Sequence, residues 1–423
     1  MYPFDVPALR GFLAARARAS ARPVIVRTVW LLGLVSCFTD ISSEMISSIL
    51  PVYLFVHLQL SPVQFGLIDG LYQGVTAVAR LASGIVADRW RRYKLVATSG
   101  YVLSAVCKLG LLATGSTWSV FAAVLSADRL GKGIRTAPRD ALISLTTRPQ
   151  DLASAFGVHR AMDTAGVLVG PLLAYWILAS LPGRFDAIFV VSFAVALIGI
   201  AVLVLLVDDR RGADGERERA NRVSLDLSSL LRHRPFVSIA VVAALTSFVV
   251  VSDAFLYLLI QWKRGGGAET IPLLYAGTAS AYLVLAAPLG RLADRMGRVR
   301  MFLIGQVLMV VVFAGIAWVD LGLWTLALCL LLHGAYYAAT DGVLAALASG
   351  ATRSDVRASG LAALTTATSL ARLAGSVVVG VVWSWRGPEM VVTLALIATV
   401  AALIVSAVTL KGASLDTLDA GTT

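Results

Sequence analysis

Ionisable side chains stand inside stretches that are otherwise apolar, where they could exchange protons or hold a charged ligand. Between Ser126 and Pro171 the sequence places six basic residues, four acidic residues and His159 among hydrophobic neighbours. Moving one charge into an apolar membrane span costs about 2.5–3.5 kcal/mol on insertion scales. Such groups persist where they pair with one another or line a water-filled cavity.

Helical spacing decides which of these groups can meet, since side chains three or four residues apart share a face. One face of a helix here would carry Asp128, Lys132, Arg135 and Arg139, and another face Arg129 and Asp140. In the next apolar stretch His159 and Asp163 share a face, and Arg160 lies off it. This cluster is predicted to tie two helices together and to help close the inner mouth of a cavity. The second interpretation, which does not exclude the first, is that Asp163 or His159 carries protons.

Two carboxylates, Asp40 and Glu44, lie four residues apart in the first apolar stretch. At that spacing they repel each other in a medium of low dielectric constant, so one is expected to keep its proton unless a base lies beside it. The candidate bases are Arg129 and Arg372. The pair is predicted to couple protons or to bind substrate, and structural pairing with a base is the alternative.

The second half of the chain has fewer charges in its apolar stretches. Asp253 corresponds to Glu44 of the first half, and Asp341 corresponds to Asp140. Each is an acid in an apolar helix and therefore a functional candidate. Arg372 is expected to pair with Asp253 or Asp341, and the neighbouring tyrosines Tyr336 and Tyr337 are expected to line a cavity.

The composition indicates an all-α integral membrane protein. The chain has 423 residues, of which 58% are hydrophobic and 14% charged, and its mean hydropathy is +0.81. Soluble domains carry about 25% charged residues. The formal net charge of +11 is concentrated in short loops, which argues against nucleic-acid binding. Because phosphate-loop, zinc-site and nucleophile-elbow motifs are missing, we expect neither an enzyme nor a cofactor nor a dedicated metal site.

Gly, Pro and charged residues separate the apolar segments of the chain. The segments between them predict twelve transmembrane helices in two pseudo-symmetric bundles of six, with the seventh span at 235–261. The predicted organisation is an N-terminal segment 1–27, a first bundle 28–207, a linker 208–234, a second bundle 235–410 and a tail 411–423. Lys and Arg favour the loops on the side of both termini, which predicts a cell (inner) membrane protein with both termini in the cytoplasm. Two such halves around a midplane site are typical of transporters that rock between two states.

The two halves repeat a loop sequence after their second span, SGIVADRWRRYK at 83–94 and LGRLADRMGRVR at 289–300. At these residues the chain resembles the major facilitator superfamily. The family's loop motif G-x-x-x-D-R-x-G-R/K-R/K is matched at Gly290, Asp294, Arg295, Gly297 and Arg298. The first copy keeps Gly84, Asp88, Arg89 and Arg92 but has Arg91 where the family has glycine.

Two further family motifs follow in the first half. The R-x-x-x-G motif of span four is matched from Arg129 to Gly133, and the G-x-x-x-G-P motif of span five at Gly166, Gly170 and Pro171. Within the family the chain is similar to a prokaryotic efflux-type subgroup with TDISSEM in span one and GKGIRTAPRDALI after span four. A plain helix-packing role for the two glycines is the alternative to a transport role.

The resemblance implies a twelve-helix secondary transporter that works by alternating access, driven by the proton motive force without a cofactor. In the family the G-x-x-x-G-P motif is associated with proton-coupled exporters. Acids outnumber bases at mid-depth in spans one, seven and ten, so a small cationic or amphiphilic substrate is expected. The alternatives are a nickel or cobalt exporter and a proton-coupled uptake symporter of a small solute or siderophore. The expected partners are the lipid bilayer, a small-molecule substrate and protons, with the chain as a monomer.

Overall fold

The computed structural model describes residues 26–412 except 91, 116, 149–150, 209–231, 266 and 353–356. Side chains are described for these residues apart from 81, 84, 85, 88–90, 153, 268, 357–359 and 411–412. The predicted segments 1–27, 208–234 and 411–423 therefore lie almost wholly outside the described residues.

Thirteen α-helices make up most of the described chain, since an apolar segment in lipid must satisfy its backbone hydrogen bonds internally. They are α1 (Arg27–Val52), α2 (Pro62–Trp90), α3 (Tyr93–Gly110), α4 (Trp118–Thr146), α5 (Leu152–Ser180), α6 (Phe185–Leu206), α7 (Arg234–Val249), α8 (Asp253–Arg264), α9 (Ile271–Met296), α10 (Arg298–Trp318), α11 (Leu323–Gly350), α12 (Arg357–Arg386) and α13 (Pro388–Gly412). One π-helical turn, Tyr53–His57, extends α1.

Ten segments of the described chain are long and apolar enough to cross a membrane, with α7 and α8 together forming one of them. The helices α2 and α4 have 29 residues each but are more polar, and α4 carries its charges between Asp128 and Asp140. The predicted all-α membrane architecture is confirmed, and the count of twelve spans stays a prediction.

The helices form two groups that pack in corresponding ways. In the first, α1 packs against α5 and α6, and α4 packs against α2 and α3. In the second, α7 packs against α12 and α13, and α11 packs against α9 and α10. Between the groups, α2 packs along α12 and α5 along α9. The space between the groups is therefore bounded by these two inter-group contacts.

Equivalent glycines make a close helix contact in each group. A Cβ added to Gly133 of α4 would lie 2.4 Å from the Cβ of Ala79 of α2. A Cβ added to Gly334 of α11 would lie 2.5 Å from the Cβ of Ala281 of α9. Small residues permit such close approach between membrane helices. The same contact thus holds the same pair of helices in both halves.

The seventh span differs from the prediction, because it is interrupted at 250–252 instead of running unbroken over 235–261. The helix α7 ends at Val249, Val250 is extended, and α8 begins at Asp253. Ser252 caps α8, since its Oγ accepts a hydrogen bond from the N–H of Phe255 at 3.4 Å. A serine followed by an acid favours a helix start, and this local signal outweighs the continuous apolar pattern.

Candidate functional site

A cavity of about 480 Å³ lies between the two helix groups. Its acidic lining residues come from both groups and are Glu44, Asp69, Asp163, Asp253 and Asp341. Its basic lining residues are Lys132 and Arg160. Carboxylates therefore outnumber bases by five to two around this space, which favours a ligand with a positive charge.

Aromatic rings form much of the remaining wall. The lining tyrosines are Tyr72, Tyr257, Tyr275, Tyr282 and Tyr337. Rings of this kind attract cations to their faces and provide apolar area for the rest of a ligand. The lining thus combines negative charge with flat aromatic surface.

Aromatic side chains join the two helix groups at the end of the bundle where α2 begins and α12 ends. The ring centroids of Phe65 and Phe255 lie 4.7 Å apart, and those of Phe55 and Trp383 lie 5.6 Å apart. Phe255 also lies 5.8 Å from Trp383. These contacts close the space between the groups at this end.

The carboxylates of α1 each have a base of their own on α4. Asp40 lies 3.4 Å from a guanidinium nitrogen of Arg135, and Glu44 lies 3.8 Å from the Nζ of Lys132. The prediction that Arg129 or Arg372 neutralises them is wrong. The face of α4 that carries Lys132 and Arg135 is turned to α1, which places these bases beside the acids. Asp40 is buried behind the wall, while Glu44 lines the cavity.

Arg129 belongs to a separate buried cluster. Its guanidinium donates to Asp128, which also accepts from Lys108 at 3.2 Å and from Ser104 at 2.5 Å. The guanidinium lies 4.0 Å from the ring centroid of Tyr72. Arg129 therefore does not line the cavity but supports a tyrosine that does. Lys108 was missed, and its only signal is a lone lysine in an apolar helix.

The predicted cluster of α4 and α5 forms around Arg139. The Arg139 guanidinium donates two hydrogen bonds to Asp140, at 2.9 and 3.0 Å, and lies 3.7 Å from Asp163. It also donates to Ser36 at 3.0 Å, and the Nε2 of His159 lies 3.0 Å from the same hydroxyl. These contacts tie α1, α4 and α5 together, and Asp163 alone of these five residues lines the cavity.

The corresponding acids Asp140 and Asp341 each pair with an arginine. Asp140 lies 3.6 Å from Arg80 of α2. Asp341 lies 3.8 Å from Arg372 of α12, which is one of the two pairings expected from the sequence. The carboxylate of Asp341 lines the cavity, so this pair lies at the edge of the site.

The glycines of α5 face α1 at very short range. A Cβ added to Gly166 would lie 2.5 Å from the carbonyl oxygen of Cys37, and one added to Gly170 would lie 2.7 Å from that of Ile41. Pro171 follows Gly170 and lines the cavity. The motif thus brings two helices together beside the carboxylates of α1.

The carboxylate of Asp253, at the start of α8, has a tyrosine and a histidine as its neighbours. The hydroxyl of Tyr337 donates to its Oδ1 at 2.6 Å, and the Nε2 of His333 lies 3.4 Å from the same oxygen. Tyr336 was predicted to line the cavity, but it lies outside the cavity wall. It is 6% exposed and stacks on His333, because adjacent helical residues point in different directions.

Asp69 of α2 is a lining acid that was missed from the sequence. Its Oδ2 accepts a hydrogen bond from Ser376 of α12 at 2.5 Å. Its only sequence signal was an acid inside the apolar part of the second span. His333 was also missed, because the pattern of the four histidines gave no ligand spacing.

The loop motifs lie away from the cavity. Gly297 joins α9 to α10 with φ of 96°, a left-handed conformation that favours glycine. Asp294 lies 3.9 Å from Arg298, Arg295 is exposed, and Gly290 has free space around it. In the first copy Arg92 is exposed at the start of α3, while Gly84, Asp88 and Arg89 lie among the residues whose surroundings are outside the described part.

A family model, two related sequences and one solved structure are similar to this chain. The family model described as Major Facilitator Superfamily matches residues 32–267 and 263–416. An uncharacterized MFS-type transporter of Methanocaldococcus jannaschii is 31% identical over 372 residues, 86% of this chain and 90% of that protein. The multidrug resistance protein MdtH of Yersinia pestis is 26% identical over 239 residues, 54% of this chain and 55% of that protein. The crystal structure of the nucleoside transporter NupG is similar in fold, with a TM-score of 0.73 and 17% identity over 91% of this chain and 99% of that chain.

Proposed function

The chain belongs to the major facilitator superfamily, and we propose that it exports a small cationic or amphiphilic molecule in exchange for protons. As a member of that family it is a multi-pass membrane transporter. The proposal adds the substrate class, the direction and the coupling ion, and the observation that carries it is the charge balance of the cavity.

Two of the five lining carboxylates have no lysine or arginine within 4 Å in the part of the chain that the structure describes. Glu44, Asp163 and Asp341 each lie within 4 Å of a lysine or arginine. The other two are Asp69, which accepts a hydrogen bond from Ser376, and Asp253, which accepts one from Tyr337. The Nε2 of His333 lies 3.4 Å from Asp253 without making a hydrogen bond. An unpaired carboxylate at this depth is costly unless it takes up a proton or a cation. Protons and a cationic substrate would thus compete for the same acids, as antiport requires.

The aromatic wall supports an amphiphilic cation in particular. Tyr257 and Tyr275 stand 4.4 Å apart at their ring centroids and both line the cavity near Asp253. A flat organic cation can place its charge at the carboxylate and its apolar part on these rings. A strongly hydrated inorganic ion gains less from such a surface.

Outward transport is supported by two observations. The α5 motif of Gly166, Gly170 and Pro171 is the one that the family associates with proton-coupled export, and the similar protein MdtH is named a multidrug resistance protein. We place the chain in the cell inner membrane with both termini in the cytoplasm, because Lys and Arg favour the loops on that side. In this orientation the aromatic contacts of Phe65, Phe255 and Trp383 close the outer side.

The test uses purified protein in liposomes that are loaded with a pH-sensitive dye and have an acidic lumen. Addition of ethidium or another organic cation outside is expected to raise the lumenal pH as protons leave in exchange. Protein-free liposomes measure passive leak.

Two outcomes would contradict this assignment. Acidification of the lumen on substrate addition at equal pH would indicate symport. A response to nickel or cobalt with none to any organic cation would indicate a metal exporter.

A further inference from the structure

The acid–base pair of Glu44 and Lys132 has a counterpart in the second half. Asp253 corresponds to Glu44 in the sequence repeat, each preceded by a serine. His333 directly precedes Gly334, just as Lys132 directly precedes Gly133, and these two glycines make equivalent contacts. The Nζ of Lys132 lies 3.8 Å from Glu44, and the Nε2 of His333 lies 3.4 Å from Asp253.

The two pairs differ in the chemistry of the base. A lysine keeps its charge at neutral pH beside a carboxylate, whereas an imidazole changes its charge near neutral pH. The side chain of His333 is 1% exposed, and neither ring nitrogen makes a hydrogen bond within the described residues. A buried polar group without a partner is costly. Uptake of a proton would make both ring nitrogens donors and would place a positive charge 3.4 Å from the Asp253 carboxylate.

We propose that Asp253 and His333 form the proton-exchanging pair of this transporter, while Glu44 and Lys132 form its fixed pair. The proposal deepens the proposed function and rests on it for the exchanged cation. A proton from cavity water passes through the Asp253 carboxyl to Nε2 of His333, and the imidazolium and carboxylate then sum to zero charge. An organic cation that binds Asp253 replaces this charge, so the imidazolium returns its proton through the carboxyl to water. One cation therefore takes the place of one proton, and no other co-reactant is needed.

The surroundings of His333 leave Asp253 as the charge that acts on it. From α8 it faces Asp253 and Tyr257, from its own helix Tyr336 and Tyr337, and Tyr275 of α9 lies behind Tyr257. Of these neighbours of His333 within the described residues, Asp253 is the acidic one and the others are tyrosines. Asp253, Tyr257 and Tyr337 line the cavity whereas His333 does not. A proton thus reaches the imidazole by way of the carboxylate.

The first test needs no ligand. In full-length protein labelled with ¹³C-histidine and placed in lipid nanodiscs, the signal that is lost in His333→Gln is assigned to His333. Its chemical shift is followed in a titration from about pH 4 to pH 8 and is expected to change with pH, and in Asp253→Asn the change is expected at a lower pH than in wild type because the neighbouring negative charge is gone. A His333 signal that stays constant over this range, or that ignores Asp253→Asn, would overturn the proposal.

The second test separates proton exchange from substrate binding. His333→Gln is expected to lower ethidium transport driven by a pH gradient about a hundredfold, while ethidium counterflow without a gradient stays within about twofold of wild type. His57→Gln, an exposed histidine away from the cavity, is expected to match wild type in both assays. Gradient-driven transport that persists in His333→Gln would overturn the proposal and leave the proposed function intact. If wild type moves no organic cation, the proposed function fails, and the NMR titration still decides whether this pair takes up a proton.

Discussion

Asp69 of α2 and Ser376 of α12 form a hydrogen bond of 2.5 Å across the contact between the two helix groups. The same carboxylate lines the cavity. A ligand or a proton that binds Asp69 therefore acts directly on a contact that holds the two groups together.

Removal of this bond is expected to loosen the closed end. In Ser376→Ala the lost hydrogen bond contributes about 1 kcal/mol, which shifts the ratio of closed to open states about fivefold toward open. The measurement is the distance distribution between spin labels placed on the two groups at that end. Ser280→Ala, which removes only an intrahelical hydrogen bond, is the matched control and should leave the distribution unchanged. Equal distributions in both variants would contradict the prediction.

The glycine contacts predict a stability difference between three positions. Gly133→Ala and Gly334→Ala place a Cβ about 2.5 Å from the Cβ of an alanine, and such overpacking costs about 1–3 kcal/mol. Both variants should unfold at lower temperature in a thermal scan. Gly290→Ala meets no atom within 4 Å and should unfold at or above the wild-type temperature, because alanine favours a helix.

Restoring the space gives a sharper check of the same contact. Ala79→Gly added to Gly133→Ala removes the clashing methyl group, although the backbone of Thr76 stays close at 2.8 Å. Part of the lost stability should return. A double variant that is less stable than either single variant would mean that the two residues do not meet.

In the buried cluster of Asp128, removing the acid is predicted to lower the stability of the protein more than removing the lysine. Asp128→Asn leaves Lys108 and Arg129 without a negative partner, and breaking a buried pair in this way costs about 3–5 kcal/mol. Lys108→Met leaves the pair of Asp128 and Arg129 balanced and should cost less. Thermal unfolding of both proteins in the same detergent measures the order, and a reversed order would contradict this account.

Charge balance in the cavity predicts compensation between Glu44 and Lys132. Glu44→Gln leaves the lysine unpaired beside the substrate, which should weaken binding of a cation such as tetraphenylphosphonium about tenfold. Glu44→Gln combined with Lys132→Gln removes both charges and should return the affinity to near the wild-type value. Calorimetric titration of the two proteins gives the comparison. Equal loss in the single and double variants would mean that Glu44 binds the ligand directly.

Sequence patterns predicted the membrane class and the two-fold repeat, and the pair of Asp341 and Arg372 is one of the two pairings that they left open. Composition and repeat spacing carry this information because burial in lipid restricts which residues a helix can present. They also identified Asp253 as the residue that corresponds to Glu44 in the repeat. The sequence did not show that His333 takes the position of Lys132 in the repeat, because histidine and lysine are different residue types and the repeat is recognised by identical or similar residues.

The partners of the α1 acids were predicted wrongly for a geometric reason. The helical repeat shows that Lys132 and Arg135 share a face, but the rotation of α4 about its axis is set by packing at Gly133 and Gly100. That rotation turns Lys132 and Arg135 toward α1 and leaves Arg129 with Asp128. Adjacent residues such as Tyr336 and Tyr337 are divided between core and cavity by the same kind of rotation.

The interruption of the seventh span has a mechanical consequence. At Val250 and Ser252 the backbone leaves the helical conformation, so bending there breaks few of the hydrogen bonds that stiffen a continuous helix. This break directly precedes Asp253, which, if it exchanges protons as we propose, must become accessible first from one side of the membrane and then from the other. A small swing of α8 can thus redirect that carboxylate while α7 stays anchored in its bundle.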